Sequence, residues 1–324
     1  MPDFPTIALH LGVHKTATTY FQSRLSNSKE ALAENRIAYI PLGQLRQSVT
    51  AKLDDDDFSR EKMLAAISAY MDCDRLVLSD ENLIGGVFKP NNNLIYDGVA
   101  QRLKKLLSLL SGFQVEIFIT LRSYPEYFIS RYTESLRHFK FFSFERYYEN
   151  IDFESVTWVD VVESLKEAGA KDITISDFKT IFADENAYFN KLLKKDNLCI
   201  KTALDSPSIR RPKISKEAYN VVKCYGNNYS RASIAKLMNL LDNTPQKTTA
   251  TEFMPFTEEQ IKNFAGRYAN ELASFGVSPL IDGHGSGQSP VCLATTECQT
   301  QAKSMGHTQP PLPSQDSANQ PPNG

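Results

Sequence analysis

The chain lacks the cysteine patterns, the long apolar runs and the excess of positive charge that mark several large protein classes. Its 324 residues include five cysteines, none of them in a CxxC pair, so neither a zinc site nor a disulfide framework is predicted. No run of about 20 apolar residues is present, and no transmembrane helix is predicted. The formal net charge of −2 argues against a nucleic-acid partner held by overall positive charge.

The first residues do not show the pattern of a secretory leader. Residues 1–5 include no basic side chain, and the apolar stretch at 7–13 is short and interrupted by His10. A leader needs a basic start followed by a longer apolar segment. We therefore expect a cytoplasmic protein, with a peripheral position at the inner membrane as the open alternative.

Residues 281–324 differ in composition from the rest of the chain. They contain no Phe, Tyr or Trp, they carry one basic and three acidic side chains, and eleven of them are Pro or Gly among Ser and Gln. Such a segment buries too little apolar surface to offset the entropy lost on ordering it. We predict a disordered Pro/Gly/Ser/Gln-rich tail here and a folded domain over residues 1–280.

Short apolar runs alternate with amphipathic segments along this domain. The predicted strands are residues 6–11, 36–40, 75–79, 114–121 and 173–175. Helices are predicted between them, and from about residue 183 to 274 the chain is expected to be mostly helical. Residues 44–62 are polar and are expected to form a solvated loop or the start of a helix. This alternation predicts an α/β fold with a parallel sheet covered by helices.

The loop after the first predicted strand has the composition of a phosphate-binding loop. Gly12, Lys15 and three threonines lead directly into a helix that begins near Thr18. A helix amino terminus offers unpaired N–H groups and a partial positive charge, and lysine adds a full charge. The alternative is a helix start with surface threonines. The loop is not a Walker A motif, because GxxxxGK[ST] needs a glycine where His14 stands.

A second candidate element follows the strand at 114–121. Arg122 lies where this strand ends, and Ser130 lies eight positions further along a helix that begins near Pro125. A guanidinium fork and a hydroxyl group together suit a second phosphate. The alternative is that Arg122 pairs with Glu126 and that Ser130 is a packing residue.

Two phosphate-type elements at two strand ends indicate a ligand that is phosphorylated at two separate positions. The run at 10–19 (HLGVHKTATT) resembles the 5′-phosphosulfate loop of the sulfotransferase superfamily that uses 3′-phosphoadenosine 5′-phosphosulfate (PAPS). The run at 121–125 (LRSYP), with Ser130-Arg131-Tyr132, resembles the 3′-phosphate element of that superfamily. The resemblance covers roughly residues 5–275 and is closest to the bacterial carbohydrate-type branch.

The resemblance implies a P-loop-like parallel sheet and transfer of a sulfuryl group from PAPS to a hydroxyl of a glycan or glycolipid, without a metal. It implies that Lys15 stabilises the leaving 5′-phosphate. The cofactor-binding residues that it implies are Gly12, Lys15, Thr16, Ala17, Thr18, Thr19, Arg122, Ser130 and Arg211. One position departs from the family, which usually has glycine where Ala17 stands. A methyl group there narrows the loop if this residue needs a positive φ.

A general base is also required, and the strand at 75–79 provides a candidate. Glu81 follows it at the same predicted edge of the sheet, in a Ser-x-Glu pattern that resembles the branch in which a glutamate is the base. Asp80 is the competing carboxylate, and an exposed loop acid is the alternative interpretation of Glu81. His14 is the second candidate base, with a hydrogen bond that shapes the loop as its alternative role.

Two other functions remain compatible with these motifs. One is a P-loop-type nucleotide kinase or phosphotransferase, against which the missing glycine before Lys15 argues. The other is a non-catalytic module that binds a phosphorylated nucleotide.

Overall fold

A five-stranded parallel sheet forms the centre of the molecule. The computed structural model describes residues 4–85, 96, 98–149, 151–153, 156–201, 213–244 and 249–278. The strand order is β2-β3-β1-β4-β5 and every neighbouring pair is parallel. The strands are β1 Thr6–His10, β2 Ile37–Tyr39, β3 Arg75–Ser79, β4 Val115–Leu121 and β5 Asp172–Asp177.

Thirteen α-helices connect and cover these strands in the described part of the chain. They are α1 Thr18–Asn27, α2 Lys29–Glu34, α3 Leu42–Ser48, α4 Arg60–Ile67, α5 Val99–Leu109, α6 Tyr124–His138, α7 Phe144–Glu149, α8 Trp158–Glu167, α9 Phe178–Ala183, α10 Glu185–Leu193, α11 Lys216–Gly226, α12 Arg231–Asp242 and α13 Glu258–Ser274. Short 3₁₀ helices lie at Thr50–Lys52, Ser68–Tyr70 and Glu81–Ile84. None of the helices in the described ranges is long and apolar enough to cross a membrane.

The strand order places β1 at the point where the direction of chain connection reverses. From β1 the chain leads to β2 at one edge of the sheet, returns to β3, and then crosses to β4 on the other side of β1. The loops that follow β1, β3 and β4 therefore emerge at one edge. In parallel α/β sheets a ligand site commonly lies at such a reversal, outside the carboxyl ends of the strands.

Both faces of the sheet are buried, and alternate strand residues point into two separate cores. On β1, Ile7 and Leu9 belong to the larger core, which also includes side chains of α5, α6, α8 and α13. Ala8 of the same strand belongs to the smaller core, which is built from α1, α2 and α10. This two-sided burial explains why the strands have nearly continuous apolar sequences.

The predicted α/β fold, with its parallel sheet and helical C-terminal part, is confirmed. The prediction for residues 44–62 is wrong in part, because Leu42–Ser48 forms α3 where a loop or helix start was expected. Leu45 and Val49, four positions apart, are fully buried on this segment, so packing stabilises a helix that its polar composition does not indicate. The predicted tail at 281–324 lies outside the described residues, and the domain boundary at 280 stays a prediction.

Candidate active site

The loop at 11–17, between β1 and α1, is fastened to the neighbouring strand β4. The amide of Leu11 donates to the carbonyl of Phe118 at 2.9 Å, and the amide of Val13 donates to the carbonyl of Thr120 at 3.1 Å. These bonds continue the pairing of β1 with β4 beyond the end of β1. Backbone pairing with the sheet therefore fixes the first part of the loop.

Gly12 is required at its position by both backbone conformation and space. Its φ is +45°, and a Cβ added there would lie 2.6 Å from the side-chain methyl of Thr18 and 3.0 Å from Oγ1 of Thr16. Any larger residue would push the loop away from the start of α1. The hydroxyl of Thr16 donates to the carbonyl of Val13 at 2.6 Å and so closes the turn from inside.

Two further loop residues have left-handed backbone conformations although they are not glycine. Lys15 has a φ of +71° and Ala17 a φ of +55°. Ala17 is the N-cap of α1, and no side chain in the described part of the chain caps this helix. The N-cap side chain therefore accepts no hydrogen bond from the first-turn amides. Of the threonines that begin α1, Thr18 is buried and Thr19 is exposed.

The two predicted phosphate elements meet at Arg122. Its Nη1 donates to the carbonyl oxygen of Lys15 at 2.5 Å, and its guanidinium stacks on the ring of Phe178 with a distance of 4.5 Å to the centroid. The indole of Trp158 donates to the carbonyl of Arg122 at 2.9 Å. Burial lowers the pKa of Arg122 from its ordinary value, but an arginine in this setting still carries its charge. The charged side chain of Arg122 thus joins the end of β4 to the loop after β1.

One face of α6 contacts Lys15 and Arg122. Glu126, half-buried Ser130 and Glu134 follow one another at intervals of four residues, which places them along the same face of the helix. Lys15 Nζ lies 3.1 Å from an oxygen of Glu134, and Arg122 Nε lies 3.4 Å from an oxygen of Glu126. Arg122 therefore makes two contacts at once. It forms the ion pair with Glu126 that was the alternative expectation, and it also binds the loop after β1.

The two carboxylates that follow β3 have different surroundings. Asp80 is fully buried, accepts from the amide of Asn82 at 3.1 Å and binds Arg46 at 2.9 Å. Glu81 accepts the hydroxyl hydrogen of Thr18 at 2.9 Å and also binds Arg46, at 3.0 Å. Asp80 thus fixes the local turn, whereas Glu81 lies against the first residue of α1.

His14 is held at both ring nitrogens. The backbone amide of His14 donates to the hydroxyl oxygen of Tyr96 at 2.6 Å. The hydroxyl hydrogen of Tyr96 is therefore free to be donated to Nδ1 of His14, which lies 2.7 Å from the same oxygen. Nε2 then carries the ring hydrogen and donates to Oδ1 of Asn82 at 3.0 Å. Burial lowers the pKa of His14 to about 4, against the opposing effect of Glu81. The imidazole is therefore neutral at pH 7 and links the loop to the turn after β3.

Three of the neighbours that complete this site were not predicted from the sequence. Glu134 was missed, although its position four residues after Ser130 placed it on the same helix face. Tyr96 and Phe178 have no such sequence pattern, because each reaches the loop or Arg122 from a distant part of the chain. Arg211 lies outside the described residues. Within those residues no group of three or more His, Cys, Asp or Glu side chains is arranged to hold a metal ion.

No protein-family model matches this chain, and no curated protein matches it. Among solved structures, the chain is similar to the crystal structure of a sulfotransferase from Alicyclobacillus acidocaldarius, with 14% sequence identity and a TM-score of 0.35. The similarity covers 72% of this chain and 96% of that one.

Replacing Ala17 by glycine is expected to stabilise the protein. The left-handed conformation of Ala17 costs about 1–2 kcal/mol that glycine avoids, and the gain is partly offset by the larger entropy of the unfolded glycine chain. We expect Ala17→Gly to raise the free energy of unfolding by up to about 1 kcal/mol in urea titrations. Ala265→Gly, at an exposed position inside α13, should lower it by about 1 kcal/mol. Destabilisation by both variants would contradict the strain at Ala17.

The lowered pKa of His14 predicts a loss of stability in acid. Since the folded pKa of about 4 lies below the ordinary value of 6.5, the unfolded chain binds more protons between these pH values. The free energy of unfolding should therefore fall as the pH falls from about 6.5 to 4. We expect His14→Gln to give a shallower decline in urea titrations over this window. His10, whose pKa burial also lowers to about 4, is retained in both proteins, so equal slopes would contradict the prediction.

Proposed function

We propose that this protein is a sulfotransferase that moves a sulfuryl group from PAPS to a hydroxyl group of a glycan or glycolipid. The observation that carries the proposal is the hydrogen bond of 2.5 Å from Arg122 Nη1 to the Lys15 carbonyl. It joins a loop suited to a 5′-phosphosulfate to an element suited to a 3′-phosphate. A nucleotide that is phosphorylated at both positions is the ligand class that this pair of cations favours.

The described residues fit the two anionic ends of such a nucleotide. At one end, the uncapped start of α1, the ammonium group of Lys15 and the close approach allowed by Gly12 suit a 5′-phosphosulfate. At the other end, Arg122 and Ser130 suit a 3′-phosphate. PAPS itself supplies the activated sulfuryl group, and the protein contributes alignment and neutralisation of charge. The segment that contains Arg211 is proposed as an additional contact on the strength of the sequence resemblance alone.

The chemical step requires a base for the acceptor hydroxyl and a cation for the leaving group. The acceptor oxygen bonds to sulfur as the bond from sulfur to the 5′-phosphate oxygen breaks, and adenosine 3′,5′-bisphosphate leaves. Lys15 neutralises the charge that develops on that oxygen. The hydroxyl proton passes to a carboxylate or a histidine at the carboxyl end of β3 or in the loop after β1.

We assign the base to Glu81 rather than to His14. In the His14 ring, Nδ1 accepts from the Tyr96 hydroxyl and Nε2 donates to Asn82, so accepting a further proton at Nδ1 would break the link to Tyr96. Glu81 lies beside the first turn of α1, where Thr18 donates to one of its oxygens and Arg46 binds the other. A carboxylate oxygen has more than one acceptor site, so it can take a proton without losing this position.

Nucleotide binding tests the proposal directly. We expect adenosine 3′,5′-bisphosphate to raise the melting temperature, with a stabilisation of about 2.7 kcal/mol at a hundredfold excess over its Kd, and ATP with Mg²⁺ to do much less. Arg122→Lys keeps the positive charge but loses the fork, so it should weaken binding of the bisphosphate more than binding of 5′-AMP. Equal stabilisation by ATP with Mg²⁺ would favour a nucleotide phosphotransferase instead.

Turnover separates an enzyme from a binding module. With PAPS and a panel of 4-nitrophenyl glycosides as acceptors, Lys15→Ala should reduce the rate on the order of 10²–10³-fold. Glu81→Gln keeps the shape of the side chain and should reduce the rate on the order of 10²–10⁴-fold, with bisphosphate affinity unchanged. His14→Gln should retain more activity than Glu81→Gln. Unchanged transfer by Glu81→Gln would remove this residue from the role of base.

A further inference from the structure

Each cation of the proposed nucleotide site is paired with a carboxylate from α6. Lys15 Nζ lies 3.1 Å from Glu134, and Arg122 Nε lies 3.4 Å from Glu126. The two carboxylates are eight residues apart on one helix face, with Ser130 midway between them. Their side chains are only 13% and 20% exposed, so solvent and salt screen these pairs less than surface pairs.

Each of these carboxylates also has a second basic partner. Glu134 lies 3.3 Å from Arg137 and 3.2 Å from the ring of His138. Glu126 lies 3.2 Å from Lys213. Although burial raises the pKa of Glu126, Arg122 and Lys213 outweigh that effect and lower it, so this carboxyl group is ionised at neutral pH. Either carboxylate can therefore release its site cation without being left as an unpaired charge, which would be costly in a half-buried position.

We propose that Glu126 and Glu134 are internal counter-ions that a ligand exchanges for its own phosphates, Glu126 at the 3′-phosphate position and Glu134 at the 5′-phosphate position. They thereby set the specificity for nucleotides with two separate phosphates. This inference rests on the proposed function, because it assumes that a nucleotide binds at Lys15 and Arg122.

The selectivity for nucleotides with two phosphates depends on how many of the two ion pairs a ligand replaces. A phosphate group carries nearly two negative charges and several acceptor oxygens, so it competes well with a single carboxylate for lysine or arginine. A nucleotide with one phosphate displaces one carboxylate and leaves the other pair intact, so it gains from only one cation. A nucleotide with phosphates at both positions gains from Lys15 and Arg122 together. Ligands without phosphate gain from neither.

Paired substitutions and paired ligands test the assignment of one carboxylate to each phosphate. We would titrate the wild type, Glu134→Gln and Glu126→Gln with 5′-AMP, 3′-AMP and adenosine 3′,5′-bisphosphate by calorimetry. Glu134→Gln should raise the affinity for 5′-AMP about three- to tenfold and change that for 3′-AMP less than about twofold. Glu126→Gln should show the reverse preference. Both variants should bind the bisphosphate more tightly than the wild type does.

The control is Glu34→Gln, an exposed acid on α2 that makes the same change in net charge. It should leave all three affinities unchanged, whereas an effect of net charge alone would raise the affinity for both monophosphates equally. Should Glu126→Gln not fold, Glu126→Asp, which draws the carboxylate back, is expected to favour 3′-AMP in the same way.

Several results would overturn the inference. Equal gains for both monophosphates in each variant would reduce the effect to net charge, and weaker binding of 5′-AMP by Glu134→Gln would make Glu134 a support of Lys15 instead. If the wild type binds the bisphosphate while neither variant differs from the control, only this inference fails. If the wild type binds none of the three nucleotides, the proposed function fails and the inference falls with it.

Discussion

The hydrogen bond from the Arg122 guanidinium to the carbonyl of Lys15 is the contact on which the rest of the site depends. It joins the end of β4 to the loop after β1 at 2.5 Å. A buried guanidinium must be compensated on several sides, and here the ring of Phe178 and the carboxylate of Glu126 complete its surroundings. Because Trp158 anchors the carbonyl of Arg122 itself, the cation has a fixed position relative to the sheet.

The same contact helps to hold an unusual loop conformation. Gly12, Lys15 and Ala17 all have positive φ values, although only glycine adopts them without cost. Such strain persists only where the surroundings over-determine the backbone. Here the amide of Val13 is bound to the carbonyl of Thr120 and the carbonyl of Lys15 is bound to Arg122. These hydrogen bonds therefore hold unfavourable backbone torsions at Lys15, which carries the positive charge, and at Ala17, which is the N-cap of α1.

The charged side chains in this region form ion pairs in which an anionic ligand can replace the carboxylate. Lys15 and Arg122 each contact a carboxylate of α6, and each carboxylate contacts a further basic side chain. On the other side of the loop, Asp80 is committed to the turn after β3, which leaves Glu81 beside α1. His14 connects these two sides as a neutral ring. An anionic ligand can be accommodated here by a change of partners, without the creation of an uncompensated buried charge.

Local sequence determined the strands, most of the helices and the candidate loops. Buried strands and amphipathic helices show periodic patterns of apolar residues, and these patterns can be read from residues that are close together in the sequence. The positions of Lys15, Glu81 and Arg122 after strand ends, and of Thr18 near the start of a helix, followed from those patterns. Tertiary structure decided what the patterns do not encode. The helix Leu42–Ser48 exists because Leu45 packs into the core.

Tertiary structure also decided which acidic side chain faces which base. Glu134 reaches Lys15 across 119 residues of chain, and Tyr96 reaches His14 across 82. Contacts of this kind depend on the order of the strands and on how each helix packs against them. An ion pair between distant residues leaves no periodic trace in the sequence, since its two partners are related only through the folded sheet.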